Sequence, residues 1–388
     1  MLDFKFISPT KFVFGRNAED ALTKEAETLG GKVLLHYGGG SIKTSGLYGR
    51  VKASLDEAGV DCVELGGVKP NPALSLVREG VDLCRAEGVT GILAVGGGSV
   101  IDSAKAIAVG VPYEGDVWDF YTGKAKASSA LPIGVILTIP AAGSEGSNGS
   151  VVSDYDTKSK CAYGTDLLRP AFALMNPELT YTLPPYQTAA GIVDMISHVM
   201  ERYFTRVRAV DVTDGLCESV IRSVVKAAPK VLENPEDYDA RAEIMWAGTI
   251  AHNDLLGLGR RGDWASHGIE HELSAQYDVA HGAGLAVVFP AWMKYVYKED
   301  LARFVQFAVR VWDVDYTAGE EEKAALEGVR RHKAFYDSIG MPTTLTALGV
   351  TDDRYETMAR EALRKGPLGS FKRLSHDDIV AIYRLAAG

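Results

Sequence analysis

The chain has 388 residues, enough for two domains, and its 46% hydrophobic and 24% charged residues are typical of a soluble globular protein. Its 41 basic and 51 acidic residues give a formal net charge of −10 without a basic cluster, which argues against a nucleic-acid partner. The four cysteines form no C-x-x-C pair, and neither a basic leader nor a long apolar run occurs, so we expect a cytoplasmic protein without a membrane partner.

The first half of the chain alternates strand patterns with helix patterns. Residues 4–14 carry two short aromatic-rich strand signals around the turn Ser8-Pro9-Thr10. Runs of apolar and β-branched residues predict the next four strands, at residues 32–37, 61–65, 91–95 and 133–139. Apolar spacing predicts helices at 45–58 and 73–87. This alternation predicts a parallel sheet wrapped by helices.

The second half of the chain shows no clear strand pattern. After Pro184-Pro185, long helical periods dominate to the C-terminus, at residues 188–204, 212–232 and 301–339. The change predicts an α/β N-terminal domain of residues 1–185 and an all-α C-terminal domain of residues 186–388. In the loops of the second domain, Arg260 and Arg261 are expected to face solvent.

Two glycine triplets directly follow predicted strands, as Gly38-Gly39-Gly40-Ser41 and Gly96-Gly97-Gly98-Ser99. Glycine lets a backbone approach a ligand closely, and the helix that follows offers free N–H groups and a positive dipole end to phosphate. Neither triplet completes G-x-G-x-x-G, because Lys43 and Ile101 occupy the third glycine position. The turns therefore indicate a dinucleotide site that lacks the standard fingerprint.

The second turn also has a purely structural explanation, since Ser99 and Asp102 fit an Asp variant of the capping box. A third loop, from Thr138 to Ser147, follows another strand, however. Three loops at one edge of a parallel sheet predict a ligand crevice.

The first turn favours NADP(H) over NAD(H). An NAD site commonly places a carboxylate on the ribose 2′-hydroxyl, whereas this turn carries Ser41 and Lys43 and no Asp or Glu.

Four residues of the second half predict one divalent-metal site: Asp194, His198, His267 and His281. Asp194 and His198 are spaced i,i+4, which puts a carboxylate and an imidazole on one helix face, and His267 and His271 repeat that spacing. Each could be a satisfied core residue on its own. Half of the eight histidines nevertheless lie in two short stretches with ligand spacing, and this donor set suits Fe²⁺, Zn²⁺, Co²⁺ or Mn²⁺.

A rival motif overlaps this site. His267-Gly-Ile-Glu270-His271 matches H-x-x-E-H, in which both histidines would bind zinc and Glu270 would activate water for proteolysis. That hypothesis leaves Asp194, His198 and the glycine turns without a function.

Together these motifs resemble the iron-containing, or group III, alcohol dehydrogenase family over the full length. The resemblance is strongest in Gly96-Gly-Gly-Ser-Val-Ile-Asp102, in Asn176-Pro-Glu-Leu-Thr-Tyr-Thr-Leu-Pro-Pro185, and in Asp263-Trp-Ala-Ser-His-Gly-Ile-Glu-His-Glu-Leu273. Within the family the chain looks most like the branch of NADPH-dependent butanol dehydrogenases and broad aldehyde reductases. One departure is Ala141-Ala142, where relatives often carry a threonine beside the cofactor.

The resemblance implies a Rossmann-like domain, a helical domain, an active site in the interdomain cleft and a homodimer that uses the N-terminal strands. It makes Asp194, His198, His267 and His281 the metal ligands, for Fe²⁺ or Zn²⁺. It places His271 near the nicotinamide as the proton-transfer residue, with ligation or simple packing as alternatives. With the two turns, the expected cofactor-binding residues are Gly38, Gly39, Gly40, Ser41, Asn71, Gly97, Gly98, Ser99, Asp102, Thr138 and Lys160.

The expected activity is hydride transfer between NADP(H) and small primary alcohols or aldehydes. Three alternatives are a dehydroquinate synthase-like enzyme, a polyol dehydrogenase of the same fold, and a non-catalytic protein that binds the metal or the nucleotide. Trp264 either shapes the substrate mouth or anchors the helix that follows it.

Overall fold

The computed structural model describes residues 1–351, 354–364 and 366–388, which form two compact units. One unit comprises Ile7–Leu183, and the other comprises Pro184–Gly388 together with Met1–Phe6. The first six residues therefore belong to the helical unit and not to the α/β unit, where the sequence analysis placed them. The amino group of Met1 donates to the carbonyl of Arg208 at 3.0 Å, and Leu2 N–H donates to the carbonyl of Gly259 at 2.8 Å.

The α/β unit, every residue of which is described, contains a six-stranded parallel sheet of order β1-β8-β5-β4-β2-β3 and a separate antiparallel hairpin of β6 and β7. The strands are β1 (Lys11–Phe14), β2 (Lys32–Tyr37), β3 (Asp61–Leu65), β4 (Gly91–Gly97), β5 (Ile133–Ile139), β6 (Gly149–Asp154), β7 (Ser159–Gly164) and β8 (Phe172–Met175). The parallel sheet and its predicted strands after residue 30 are confirmed, whereas β6, β7 and β8 were not predicted.

Helices connect the parallel strands. The predicted helices at 45–58 and 73–87 are confirmed as α3 and α4, and α3 buries Leu47, Val51 and Leu55 at helical spacing. The helices are α1 (Leu22–Glu25), α2 (Ser41–Thr44), α3 (Leu47–Glu57), α4 (Leu74–Glu87), α5 (Gly98–Gly110) and α6 (Trp118–Tyr121), with 3₁₀ turns at Ala18–Ala21, Ala26–Leu29, Asp166–Leu168 and Pro177–Thr180.

Only the second of the two N-terminal strand signals forms a strand. Lys11–Phe14 pairs with Phe172–Met175, but the described chain has no strand before Lys11. A strand needs a neighbouring ladder to satisfy its backbone groups, and Phe4 and Phe6 are instead 55% and 41% exposed. The first strand prediction is therefore wrong for a single chain.

The second unit is mostly helical, and its described residues form no strand, which confirms the predicted fold class. Its core lies around α7 and α11, whose buried side chains include Val193, Ile196 and Trp292. The helices are α7 (Pro185–Tyr203), α8 (Asp211–Glu233), α9 (Tyr238–His252), α10 (Ala265–Tyr277), α11 (His281–Val296), α12 (Leu301–Trp312), α13 (Glu321–Ser338), α14 (Tyr355–Ala362) and α15 (His376–Ala386), with 3₁₀ turns at Leu255–Gly257, Tyr297–Asp300 and Thr346–Leu348. Among the described helices, none has the length and apolar character that crossing a membrane requires.

Arg260 lies in the interior of the helical unit, so the prediction that it faces solvent is wrong. It is 7% exposed, and its Nη2 lies 2.8 Å from Oδ1 of Asp214. Arg303 pairs with the other oxygen of Asp214 at 2.5 Å. A buried guanidinium requires such a partner, and the partner lies 46 positions away in sequence. Arg261 is exposed, as predicted.

His332 on α13 is fully buried among aromatic rings. The rings of Tyr336, Trp312 and Phe307 lie 4.4, 5.7 and 5.9 Å from its centroid, and neither ring nitrogen bonds to any residue that the structure describes. Burial lowers the pKa of His332 to about 3. The folded state therefore favours the neutral ring, and its stability falls as the pH drops below the unfolded histidine value of about 6.5.

We expect His332→Phe to remove this acid sensitivity. Lowering the pH from 8 to 5 should cost the wild-type protein about 2 kcal/mol of unfolding free energy through His332 alone. Urea unfolding of both proteins at both pH values measures the effect. Between pH 8 and pH 5, the unfolding free energy of His332→Phe minus that of the wild-type protein should rise by that amount. The same difference at both pH values would contradict the prediction.

Candidate active site

The predicted nucleotide loops lie at one edge of the sheet in the α/β unit. Strands β2 and β4 are parallel neighbours, with Tyr37 opposite Val95, so both glycine turns leave the sheet at its carboxyl edge. Strand β5 is the next neighbour of β4, which places Thr138 at the same edge. The carboxyl edge of a parallel sheet is where ligands of α/β proteins bind.

Neighbouring side chains leave room only for glycine in the first part of the second glycine turn. A β-carbon at Gly97 would lie 2.7 Å from Cβ of Ile139, and one at Gly96 would lie 2.5 Å from Cγ2 of Val100, so neither position has room for a side chain. Gly97 precedes α5, which begins at Gly98. The first N–H groups of α5 therefore point out of the helix, as in a phosphate-binding turn.

The capping-box explanation of Ser99 and Asp102 is wrong, because α5 has Gly97 in the capping position and no side-chain cap. The carboxylate of Asp102 instead accepts hydrogen bonds from Ser144 Oγ at 2.6 Å and from Val151 N–H at 2.9 Å. Asp102 thus links the loop after β5 by a hydrogen bond to α5, the helix that follows the second glycine turn.

Lys105, which was not predicted, also links α5 to the loop after β5. It is fully buried one turn after Asp102, and its ammonium donates to the carbonyls of Ser144, Ser147 and Gly149 at 2.6, 2.9 and 2.9 Å. The i,i+3 spacing of Asp102 and Lys105 on α5 was the available signal.

The first glycine turn is open. Gly40 has φ +114°, a value that favours glycine, and a β-carbon at Gly39 or Gly40 would meet nothing within 4 Å. Ser41 and Lys43 are exposed, and Lys43 Nζ lies 5.0 Å from the ring centre of Tyr37. The turn therefore offers a hydroxyl and an ammonium group to solvent.

A carboxylate also lies beside this turn. Glu64, on the neighbouring strand β3, accepts from the hydroxyls of Tyr48 at 2.6 Å and Tyr37 at 3.1 Å. The turn itself contains no acid. Glu64 is more than twenty residues away in sequence, and the pairing of β2 with β3 brings it close.

Asn71 and Lys160 are both linked to the unpredicted hairpin of β6 and β7. Lys160 is the cross-strand partner of Ser153, whose N–H donates to the carbonyl of Pro72 at 2.9 Å. The carbonyl of Asn71 accepts from the hydroxyl of Tyr155 at 3.0 Å. Both predicted residues are buried: Lys160 lies opposite Ser153, and Asn71 directly precedes the proline that Ser153 contacts.

The four predicted metal ligands lie together in the helical unit. Asp194 and His198 are one turn apart on α7, His267 lies on α10, and His281 is the first residue of α11. Oδ1 of Asp194 is 3.1 Å from Nδ1 of His198, 3.8 Å from Nε2 of His281 and 4.0 Å from Nε2 of His267. The ligand atoms of Asp194, His267 and His281 all lie within 4.8 Å of one another, and the ring of His198 is 4.6 Å from that of His267.

This donor set fits a divalent ion. Asp194 Oδ1, His198 Nδ1 and His267 Nε2 are buried without a hydrogen-bond partner among the described residues. His198 Nδ1 lies 3.1 Å from Asp194 Oδ1, but this contact lacks hydrogen-bond geometry. Burial disfavours the ionised form of Asp194, but His198, His281 and His267 outweigh it and lower the pKa of Asp194 to about 2. Burial lowers the pKa of His198. A carboxylate and neutral imidazoles are the forms that bind Fe²⁺ or Zn²⁺.

Two buried glutamates hold the opposite ring nitrogens of these ligands. Glu201 accepts from Nδ1 of His267 at 2.8 Å, and Glu270 accepts from Nδ1 of His281. Glu201, which the sequence analysis missed, follows His198 by three residues on the same helix. Glu270 is fully buried and also accepts from the hydroxyl of Ser274, so it does not face the open site that a protease base requires.

His271 lies beside the ligand group. It is partly exposed, and its ring centre is 5.6 Å from that of His281. Among the described residues it groups with Glu270 and His281 at ligand spacing, whereas the group around Asp194 contains His267 and His281.

Trp264 directly precedes α10 and contacts a predicted ligand. Its backbone N–H donates to Glu201 Oε2 at 2.6 Å, and its ring centre is 5.3 Å from that of His267. The guanidinium of Arg202 lies 4.8 Å over the ring. These contacts match the anchoring role that was one of its two expected roles.

Two family models match nearly the whole chain. The model of the iron-containing alcohol dehydrogenases matches residues 9–177, and the C-terminal model of the Fe-containing alcohol dehydrogenase family matches residues 188–387. The chain belongs to the iron-containing alcohol dehydrogenase family. The family predicted from the motifs is thereby confirmed, and membership implies a nicotinamide cofactor and a divalent metal ion.

Relatives of this alcohol dehydrogenase cover its full length. The chain is 45% identical over 384 residues to a probable NADH-dependent butanol dehydrogenase of Bacillus subtilis, with 99% of each chain covered. It is 36% identical over 391 residues to the NADPH-dependent aldehyde reductase YqhD of Escherichia coli, with 100% of each covered. The crystal structure of NADH-dependent butanol dehydrogenase A from Thermotoga maritima superposes with a TM-score of 0.97 at 41% identity, covering 100% of this chain and 99% of that one. These names confirm the predicted branch of butanol dehydrogenases and aldehyde reductases.

Proposed function

We propose that this chain reversibly reduces small aldehydes to primary alcohols with NADPH, using one Fe²⁺ or Zn²⁺ ion held by Asp194, His198, His267 and His281. The observation that carries the proposal is that buried ligand atoms of Asp194, His198 and His267 converge without hydrogen-bond partners among the described residues, in a chain that belongs to an alcohol dehydrogenase family. When bound, the ion would supply a Lewis acid toward the substrate oxygen, and the nicotinamide would supply the hydride.

The side chains of this enzyme position the metal ligands and supply the proton. Asp194 and the three imidazoles project from three helices, so the ligand positions are held by rigid elements. His271 holds the proton that the developing alkoxide takes, because an imidazole titrates near neutral pH. Each turnover then combines one aldehyde, one hydride from NADPH and one proton into one alcohol and NADP⁺.

The first and second glycine turns bind the nucleotide in this proposal. Gly97, Gly98 and Ser99 hold the pyrophosphate at the start of α5, and Ser41 and Lys43 take the 2′-phosphate of NADPH. The relatives include enzymes named for NADH and for NADPH, so this choice rests on the exposed hydroxyl and ammonium of the turn.

The remaining predicted contacts follow the family resemblance. Asn71 and Lys160 face the nicotinamide end, and Thr138 lies beside the adenosine. Asp102 acts on the cofactor site through its hydrogen bonds to Ser144 and Val151. Gly38 begins the first turn, and Gly39 and Gly40, where a β-carbon would meet nothing within 4 Å, leave it open for the ribose phosphate.

We also propose that the enzyme is a homodimer in the cytoplasm. The N-terminal segment exposes Met1, Leu2, Phe4 and Phe6, by 59%, 43%, 55% and 41%. Apolar side chains exposed together are typical of a protein–protein interface. A second chain would supply the strand partner that residues 4–7 do not find within one chain.

The proposed reaction is tested by NADPH oxidation with butanal before and after removal of metal by a chelator. We expect chelation to reduce the rate by at least about 100-fold and added Fe²⁺ or Zn²⁺ to restore it, because several kcal/mol of transition-state stabilisation depend on the ion. Full activity in protein shown to be metal-free would contradict the proposal. The same assay with NADH tests the nucleotide choice, and a preference for NADH would indicate that Glu64 rather than Lys43 faces the ribose. Oxidation of glycerol, measured alongside, distinguishes a polyol dehydrogenase.

A further inference from the structure

We propose that Glu201 and Glu270 are positioning residues that hold His267 and His281 in the orientation and tautomer needed to bind a divalent ion. The inference rests on the proposed metal site, since it concerns two of the four ligands. It gives a function to Glu270, which the protease motif had singled out for different chemistry.

Glu201 holds His267 through both its backbone and its ring. Glu201 is 1% exposed, and its Oε1 accepts from the backbone N–H of His267 at 3.0 Å and from Nδ1 of the same residue at 2.8 Å. Its Oε2 accepts from the backbone N–H of Trp264 at 2.6 Å. An ionised carboxylate can only accept hydrogen bonds, so the ring proton lies on Nδ1. Nε2, which is 4.0 Å from Asp194 Oδ1, keeps its lone pair for a ligand.

Glu270 repeats this arrangement for His281. Its carboxylate is fully buried and accepts from Nδ1 of His281 and from Oγ of Ser274. A β-carbon at Gly284 would lie 2.7 Å from Cγ and from Oε1 of Glu270, so α11 carries a glycine where this side chain lies against it. Nε2 of His281 is the nitrogen 3.8 Å from Asp194 Oδ1. Two separate helices therefore present Nε2 toward one carboxylate.

The burial of these two glutamates argues for a role toward a cation. Removing a carboxylate from water costs several kcal/mol unless charged or donor groups compensate. Glu201, Glu270 and Asp194 place three carboxylates around the four ring nitrogens of His267 and His281, and a divalent ion bound among them would add positive charge to this acidic group. Carboxylates that bond to ligand histidines typically strengthen metal binding by about 10- to 100-fold.

Zinc affinity of the full-length protein tests this inference without relying on activity. Glu201→Gln and Glu270→Gln keep the side-chain size but remove the charge, and we expect each to weaken Zn²⁺ binding by about 10- to 100-fold in competition with a chelator of known affinity. The ligand-field absorption of the Co²⁺-loaded variants should shift as the imidazoles lose their fixed orientation. Ser274→Ala, a milder change that removes one bond to Glu270, should give a smaller loss in the same direction.

Glu218→Gln is the matched control. Glu218 lies on α8 of the same unit, is 8% exposed, and accepts from Tyr203 and Gln306, both at 2.9 Å, without contacting a ligand histidine. We expect this variant to bind Zn²⁺ as the wild-type protein does, with an unchanged Co²⁺ spectrum.

Three outcomes would overturn the inference or separate it from the proposed function. Wild-type Zn²⁺ affinity and Co²⁺ spectra in both Gln variants, or losses no larger than in Glu218→Gln, would overturn it. A stoichiometry of two Zn²⁺ per wild-type chain that falls to one in Glu270→Gln would also overturn it, since Glu270 would then be a ligand. If a Gln variant fails to fold, Ser274→Ala and the remaining variant decide. A wild-type protein that binds no divalent metal would instead contradict the proposed function.

Discussion

Replacing His267 by Ala is expected to abolish metal uptake and to lower the rate of aldehyde reduction by at least about 1,000-fold. The variant loses the ligand atom Nε2, which lies 4.0 Å from Asp194 Oδ1. It also leaves Glu201 without the hydrogen bond that it accepts from the ring N–H of His267. Three donors, Asp194, His198 and His281, would remain around a widened space. Metal content after dialysis against Fe²⁺ or Zn²⁺, measured by elemental analysis, and NADPH oxidation with butanal provide the two readouts.

His332→Phe is the control for this experiment. His332 is another buried histidine of the helical unit, but it lies among aromatic rings and not at the metal site. We expect it to keep wild-type metal content and activity at pH 8. A His267→Ala protein that retained one metal ion per chain would exclude this histidine from the ligand set.

Replacing His271 by Ala is expected to leave metal binding intact and to reduce the catalytic rate by about 100- to 10,000-fold, the usual contribution of a general acid–base residue. His271 groups with Glu270 and His281 and not with Asp194, so its loss removes no donor from the Asp194 group. The measurements are metal content and kcat for butanal reduction as a function of pH. The variant should lose the pH dependence that the proton donor imposes, and added imidazole should restore part of the rate.

His271→Gln separates proton transfer from packing. Glutamine occupies a similar volume but cannot donate and recover a proton near neutral pH, so we expect it to be as slow as the Ala variant. A fast Gln variant would assign His271 a packing role. Loss of metal from His271→Ala would instead place this residue among the ligands.

Three of the strands that the sequence predicted contain long apolar runs. β2, β4 and β5 are buried on both faces of a parallel sheet, which produces continuous hydrophobic segments. Phe172–Met175 has only four residues and no β-branched side chain, so its pattern does not differ from that of a buried helix segment. Its position between β1 and β5 depends on pairing with strands distant in sequence.

In the candidate site too, residue spacing predicted the residues that lie close together in sequence and missed those that only the fold brings together. Asp194 and His198 share a helical turn, and the short separation of His267 from His281 drew attention to both. Lys105 was missed although it follows Asp102 by three residues, because only the fold brings the carbonyls of residues 144–149 to its ammonium. Arg260 was misplaced for the same reason, since its burial depends on Asp214.

The sequence by itself determined the family, the α/β and helical halves, and the kinds of donor available to a metal ion. These depend on local spacing and on motifs whose residues are close in the chain. The tertiary structure decided which atoms of those residues face one another. The orientation of His267 depends on Glu201, 66 positions away, and the surroundings of Lys43 depend on Glu64 in a paired strand. Hydrogen bonds between such distant residues select the tautomer and the counter-charge, and they form only when the chain has folded.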